Sequence, residues 1–258
     1  MADWNAKVYE RVSAPQFAWG QRVLERLALR GDETVVDLGC GAGRLTELLA
    51  ERLPGGHVVA LDASAAMIEQ ARARLARFGD RVSLVHADAA RHVQRPPADA
   101  VFSTATFHWV LDHDALFAAI AASLRPGGRL VAQCGGGDNL ARIRRRAAEL
   151  RASPPLARYF EGFREPWHYA TPDETRARLE RAGFADVRAW LEPAPARFDD
   201  AASFREFVVH VVLRDDLSRL PDDAHRARYA GALVDAAGGD DPPFELDYWR
   251  LNVDARRA

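Results

Sequence analysis

Lysine is almost missing from this chain of 258 residues. Lys7 is the only one, so arginine carries nearly all of the 35 positive charges, a bias that reads as GC-rich coding rather than function. Against 37 carboxylates the formal net charge is −2. No basic excess exists to follow a phosphate backbone or to hold the protein on an anionic membrane, so neither a nucleic-acid nor a membrane partner is expected. Cysteine is nearly as scarce. Cys40 and Cys134 cannot build a disulfide framework or a cysteine metal cluster, no metal is expected, and such usage suits a reduced, cytoplasmic protein. No apolar run approaches the roughly 20 residues of a membrane span. The opening Met-Ala-Asp-Trp-Asn has neither a basic n-region nor an apolar h-region. Repeats and low-complexity linkers are also missing. What is left is a chain long enough for one large domain, expected over 1–258.

The most informative stretch present is Val35-Val36-Asp37-Leu38-Gly39-Cys40-Gly41-Ala42-Gly43. Val35, Val36 and Leu38 suit a buried parallel strand. Glycines at alternate positions then let backbone approach a ligand closely, because no Cβ intervenes and positive φ is accessible. Arg44 to Leu49 turns helical, so strand, glycine turn and helix N-terminus form a nucleotide-type cradle. The dinucleotide fingerprint G-x-G-x-x-G is not met, since Arg44 stands where its third glycine belongs. A nicotinamide-dependent reductase is further disfavoured because Lys7 cannot complete a Tyr-x-x-x-Lys pair.

The neighbouring landmarks agree in order and spacing. His57 to Leu61 reads as a second strand with Asp62 at its end, where a carboxylate can accept both ribose hydroxyls of an adenosine. Ser64 to Leu75 reads as a helix with Met67, Ile68, Ala71 and Leu75 on one face. Arg81 to His86 is a third strand, followed by Ala87-Asp88-Ala89. Asp99 to Ser103 is a fourth, and Leu124 to Val131 holds a helix end, a Pro-Gly-Gly turn and a fifth.

This ordered set resembles the class I S-adenosylmethionine (SAM) methyltransferases, whose first motif is D-x-G-x-G-x-G. The resemblance implies SAM as cofactor. It implies cofactor contacts from Asp37, which can hold the methionyl ammonium, from Gly39, Gly41 and Gly43, and from Asp62 with Ala63. Asp88 and Ala89 match the family's adenine motif, and Met67 could touch the adenine. Thr104 stands where the family has an asparagine, and Gly41-Ala42 where it has glycine-proline. The trans-aconitate methyltransferase branch is the nearest likeness: it has a similar Asp-Trp-Asn opening with a tyrosine, and a Gln-Trp where this chain has His108-Trp109. A small-molecule acceptor is implied, a carboxylate in the first reading, with a hydroxyl, amine or carbon as alternatives. A SAM-binding module without catalysis is a further class, made less attractive by intact motifs. A nucleic-acid amino methyltransferase would want Asp/Asn-Pro-Pro-Tyr/Phe where Ser103-Thr104-Ala105-Thr106 stands.

The expected architecture is α/β: a doubly wound, mostly parallel seven-stranded sheet with helical cap inserts at 136–170 and 198–240. Residues 1–20, with Trp4, Tyr9, Phe17 and Trp19, are expected to cover the cofactor, Tyr9 and Trp19 near the site. The first core helix is expected over Gln21 to Leu29. Thr171-Pro172-Asp173-Glu174 is a helix start, Phe184 to Leu191 a strand, and Asp199 to Ala237 helical with an apolar stripe through Phe204, Phe207, Val208, Val211 and Val212. Phe244 to Ala255 alternates like an antiparallel closing strand. Among titratable groups, His108 is the candidate general base, although a packed histidine bonded to backbone is the favoured reading. His113 is expected in a solvated loop. Arg142, Arg144, Arg145 and Arg146 could clamp a carboxylate, but Ile143, Ala147 and Leu150 define that helix's buried face, so most should point to water.

Overall fold

A computed structural model of the protein describes residues 14–154 and 156–258. Tyr9, like Trp4, lies outside the described residues. The chain alternates strand and helix: α1 (Ala14–Arg26), β1 (Thr34–Leu38), α2 (Arg44–Glu51), β2 (His57–Asp62), α3 (Ala65–Leu75), β3 (Val82–His86), β4 (Ala98–Thr104), α4 (His113–Ser123) and β5 (Leu124–Gly135). Then come α5 (Ala141–Ala152), α6 (Pro172–Arg181), β6 (Phe184–Pro193), β7 (Ala196–Arg197), α7 (Ala201–Phe207), α8 (Arg214–Arg219), α9 (Asp223–Gly238), β8 (Glu245–Leu246) and β9 (Trp249–Arg257).

Seven strands form one sheet in the order β3-β2-β1-β4-β5-β9-β6. β9 is antiparallel to both β5 and β6, and the other pairings are parallel. The order reverses between β1 and β4, the switch point at which open α/β sheets bind ligands. Period-two alternation explains which side chains reach which layer. Val36 and Val101 join the apolar core on one face, while Val35, Ala100 and Phe102 join Leu24, Leu27 and Leu49 on the other. Asp37 follows the parity of Val35 and so meets α2 rather than the opposite layer. A third core lies beside the sheet and draws on Trp19, Ile143, Phe160, Phe204, Phe207 and Tyr229.

The helix signals act locally. Thr171 and Glu174 form a reciprocal capping box with Pro172 at the first turn. Ser64 accepts the Met67 N–H and starts α3. Elsewhere the boundaries differ from expectation. α1 is already helical at Ala14, seven residues before the expected start, and ends at Arg26, shortly before Ala28 takes a positive φ of 46°. Residues 198–240 are not one helix. A π-helical turn, Val208–Val212, follows α7, and Pro221 precedes a fresh start in which Asp222 caps α9. The closing strand starts at Trp249, because Glu245 and Leu246 pair instead with β7. Among the described residues no helix is long and apolar enough to cross a membrane.

Candidate active site

The glycine loop is stitched to the end of β2. Gly39 and Cys40 N–H both donate to the Leu61 carbonyl, at 2.7 and 2.9 Å. Asp62 accepts the Gly41 N–H and the Ser64 N–H, each at 2.9 Å. The three glycines are required for three reasons. A Cβ at Gly39 would lie 2.0 Å from Thr106 Oγ1, so β4's exit presses on the loop. A Cβ at Gly43 would meet Leu75 and Ala71 of α3 at 3.1 and 3.3 Å. A Cβ at Gly41 would meet nothing within 4 Å, although its φ is +53°. The middle glycine therefore faces open space, and the outer two hold it there.

That space is a crevice bounded by the loop, Asp37, Arg44, Thr104 and Ala105, with Gln16 and Phe17 of α1 on its rim. Asp37 is 2% exposed and accepts the Thr46 hydroxyl at 2.6 Å. Burial pushes its carboxyl up to about 7; the Thr46 hydrogen bond opposes this and the Asp62 charge adds to it. Asp62 is also raised, chiefly by burial, against the backbone N–H groups of Ser64, Gly41 and Ala63. Two carboxyls with raised proton affinity thus flank the loop.

A second cavity shares Gln16 and Ala105 with the first. His108 and Trp109 enter it from the turn after β4, Trp167 and Tyr169 from the segment before α6, and Arg250 from β9. His108 is 8% exposed, and its Nδ1 accepts the Gly135 N–H at 3.3 Å. Burial holds its imidazole well below the ordinary value, with Arg250 and His113 contributing in the same direction. The ring is therefore neutral at pH 7. With Nδ1 accepting, the ring proton sits on Nε2, which makes His108 a hydrogen-bond donor toward anything Nε2 faces.

Residues 35–128 match the family model described as "Methyltransferase domain". Over the whole of both chains the protein is 33% identical to a trans-aconitate 2-methyltransferase of Methylobacterium radiotolerans. It is 35% identical to one of Variovorax paradoxus, over 86% of this chain and 85% of the relative. Among solved structures, a Haemonchus contortus phosphoethanolamine N-methyltransferase 2 in complex with S-adenosyl-L-methionine superimposes with a TM-score of 0.62 at 19% identity, over 98% of this chain and 57% of that one. The YcgJ protein of Bacillus subtilis superimposes with a TM-score of 0.62 at 15% identity, over 92% of this chain and 97% of that one. The chain belongs to the class I SAM-dependent methyltransferases, in the trans-aconitate methyltransferase-like branch.

As a methyltransferase of this class it uses SAM as cofactor and acts on a small molecule. The residues present fit that cofactor. Gly41 leaves room for backbone contact, and Asp37 is a buried carboxyl whose proton a ligand ammonium would displace.

The candidate cofactor residues fall into distinct places. Asp37, Gly39, Gly41 and Thr104 line the crevice, and Gly43 seats α2 against α3. Asp62 ties the loop to the end of β2 through the N–H groups of Gly41 and Ser64 that its carboxylate accepts, and Ala63 follows it in the chain. Met67 is buried on α3 and Ala89 is buried beyond β3. Asp88 is exposed, and its carboxyl accepts the Ala90 N–H at 2.9 Å, shaping the turn. Trp19 is not beside the crevice. It packs into the third core, 5.2 Å from Tyr248, with the Arg250 guanidinium 4.7 Å over its ring. Gln16 and Phe17, three and two residues earlier on the same helix, reach the crevice instead.

His113 is no solvated loop residue. It opens α4, is buried, and binds the Phe107 carbonyl at 3.0 Å through Nε2 while stacking 4.5 Å from His168. Burial pulls its pKa down to about 4. Arg142 pairs with Glu245 at 3.1 Å, and Arg146 grips Asp240 with both nitrogens. These two arginines fasten α5 to the chain around β8. Arg144 lies over Tyr169 at 5.0 Å, and Arg145 points to water. Sequence reading missed Arg250, Asn139 and Gln16. The available signal for Arg250 was an arginine between Trp249 and Leu251 in the closing strand.

Proposed function

We propose that this methyltransferase esterifies a carboxylate of a small organic acid. The observation that carries the reading is His108: a neutral ring whose Nδ1 accepts a backbone N–H has no ready lone pair for a hydroxyl or amine proton. A carboxylate needs none removed, since its ordinary pKa near 4 leaves it ionised at neutral pH. Bound SAM would supply an electrophilic methyl on its sulfonium; a carboxylate oxygen would give the electron pair of the new O–CH₃ bond, and the carbon–sulfur pair would stay on sulfur. No proton moves.

The protein's residues then position and dehydrate. Asp37 holds the cofactor's ammonium, and Gly41 admits backbone to it. Arg250, 4% exposed in the second cavity, offers a planar fork suited to a carboxylate. Trp109, Trp167 and Tyr169 exclude water around it. Alignment of this kind supplies about 7–11 kcal/mol of a methyl-transfer barrier. The names of the relatives, trans-aconitate 2-methyltransferases, fit an acid acceptor. Incubating the purified protein with methyl-labelled SAM and a pool of organic acids checks it. The expected products carry an alkali-labile methyl; label only in alkali-stable ethers or N-methyl groups would refute ester formation.

A further inference from the structure

We propose that the protein carries a second ligand site, at the end of the sheet opposite the cofactor loop, and that it takes a small polyanion: one molecule bearing two or more oxyanion groups, such as a tricarboxylate or a pyrophosphate. The glycine loop follows the carboxyl end of β1, whereas this site lies where β1 begins, at Thr34. A cavity there is lined by Arg30, Arg125, Arg129 and Arg256, with Glu33 and Asp99. Among the described residues lining it, four arginines therefore stand against two carboxylates, an excess of two positive charges.

Both carboxylates are turned into the protein. Glu33 is 2% exposed and accepts the backbone N–H groups of Arg30 and Gly31, each at 2.9 Å, and Arg129 at 3.3 Å. Asp99 accepts the Thr34 N–H at 2.7 Å and Arg125 Nε at 2.6 Å. The guanidiniums are less fully engaged. Arg129 is held by the Leu27 and Ala28 carbonyls and by Glu33, so it supplies charge more than donors. Arg125 meets Asp99 through Nε, which leaves the edge with its two terminal nitrogens for a ligand. Arg30 is exposed, with Nε 3.7 Å from Asp32. The Arg256 guanidinium has no hydrogen-bond or ion-pair partner among the described residues.

The sheet register adds an independent observation. Arg129 of β5 and Arg256 of β9 are direct partners across the antiparallel ladder. Their side chains leave the same face, and like charges placed directly opposite repel. An anion between them removes that cost. The wall is also open beside them: Gly127 has a φ of +73°, and a Cβ there would meet nothing within 4 Å. A guanidinium edge matches a carboxylate or a phosphate group with two parallel hydrogen bonds. One molecule with two such groups can meet Arg125 and Arg256 separately and neutralise the whole excess. Its second contact is intramolecular, which favours it over chloride or acetate.

Calorimetric titration tests the site on protein saturated with S-adenosylhomocysteine. Citrate and pyrophosphate are the probes, in separate arms, with ionic strength held constant by sodium chloride. At least one should bind with a Kd below about 1 mM, while acetate at the same ionic strength gives no saturable heat. The arm that binds identifies the oxyanion as carboxylate or phosphate. Arg256→Gln should weaken that binding about fivefold or more, and Arg256→Lys should recover part of it. Arg145→Gln, which removes an exposed arginine on α5, should leave it unchanged. Saturable binding of neither probe overturns the proposal. Binding that Arg256→Gln leaves intact places the anion elsewhere and also overturns it, as does an equal loss in Arg145→Gln, which would mark a response to net charge alone.

Discussion

The two cavities that meet at Gln16 and Ala105 are built from different materials. The cofactor crevice is a backbone structure. Its shape comes from three glycines within five residues, the end of β2, and hydrogen bonds between Asp62 and loop N–H groups. The acceptor cavity is a mosaic of side chains from α1, the turn after β4, the approach to α6 and the start of β9. Backbone geometry demands particular residues at particular spacings. A mosaic demands only that some side chain of suitable size reach the wall, so its members can change without a local pattern. One fold can therefore keep its cofactor while exchanging its acceptor.

The largest break in this comparison should come from the loop. Gly39→Val combines a φ of +81° with a Cβ that would collide with Thr106. It should cost about 2–4 kcal/mol of stability and abolish detectable SAM binding. Calorimetric titration and thermal melting measure both; retained SAM affinity would show that the loop's geometry is not the cradle.

A stability effect of similar size should arise on the acceptor side. His113 is depressed to about 4 in the folded chain, so the unfolded chain takes the proton first as pH falls. Stability should be complete above about pH 6.5 and fall by about 3 kcal/mol by pH 4. Urea unfolding across that window, with His113→Asn as the flattened control, measures the slope.

A smaller, graded effect belongs to Asp37. Its raised value of about 7 means that the empty crevice carries a proton below neutrality. A cationic ligand prefers the ionised form, so SAM affinity should fall by up to about tenfold per pH unit below 7. Asp37→Asn should bind weakly with no such slope. Affinity independent of pH in the wild type would remove Asp37 from the cofactor's ammonium.

The least effect is expected at His108. His108→Ala should leave turnover within about tenfold, because an ionised acceptor needs no base. A loss on the order of 10²-fold with SAM binding intact would instead make it a general base.

The same division decided what could be read in the sequence. The run from Val35 to Gly43 announced a strand, a glycine turn and a cradle because each element has one physical solution there. Asp62 was legible for the same reason, as the acid at a strand end beside that loop. Arg250 was not. It reaches Gly135 only after β9 inserts antiparallel between β5 and β6, a pairing of distant segments that no local period encodes. Trp19 misled because an aromatic residue before the first core strand fits a cofactor lid and a packing helix equally well; α1 starts early enough to turn it into the third core. His113 misled because a histidine after a short turn reads as exposed, whereas the segment carrying His168 covers it.

The pH dependence of kcat at saturating SAM separates an acceptor that arrives ionised from one that must be deprotonated. Saturation removes the Asp37 step, since the bound complex already holds that carboxylate ionised. With an organic acid that the protein esterifies as acceptor, kcat should be flat from about pH 6 to 9 in the wild type and in His108→Ala. A kcat that falls with unit slope below about pH 7, and loses that slope in His108→Ala, would contradict a base-free ester synthesis.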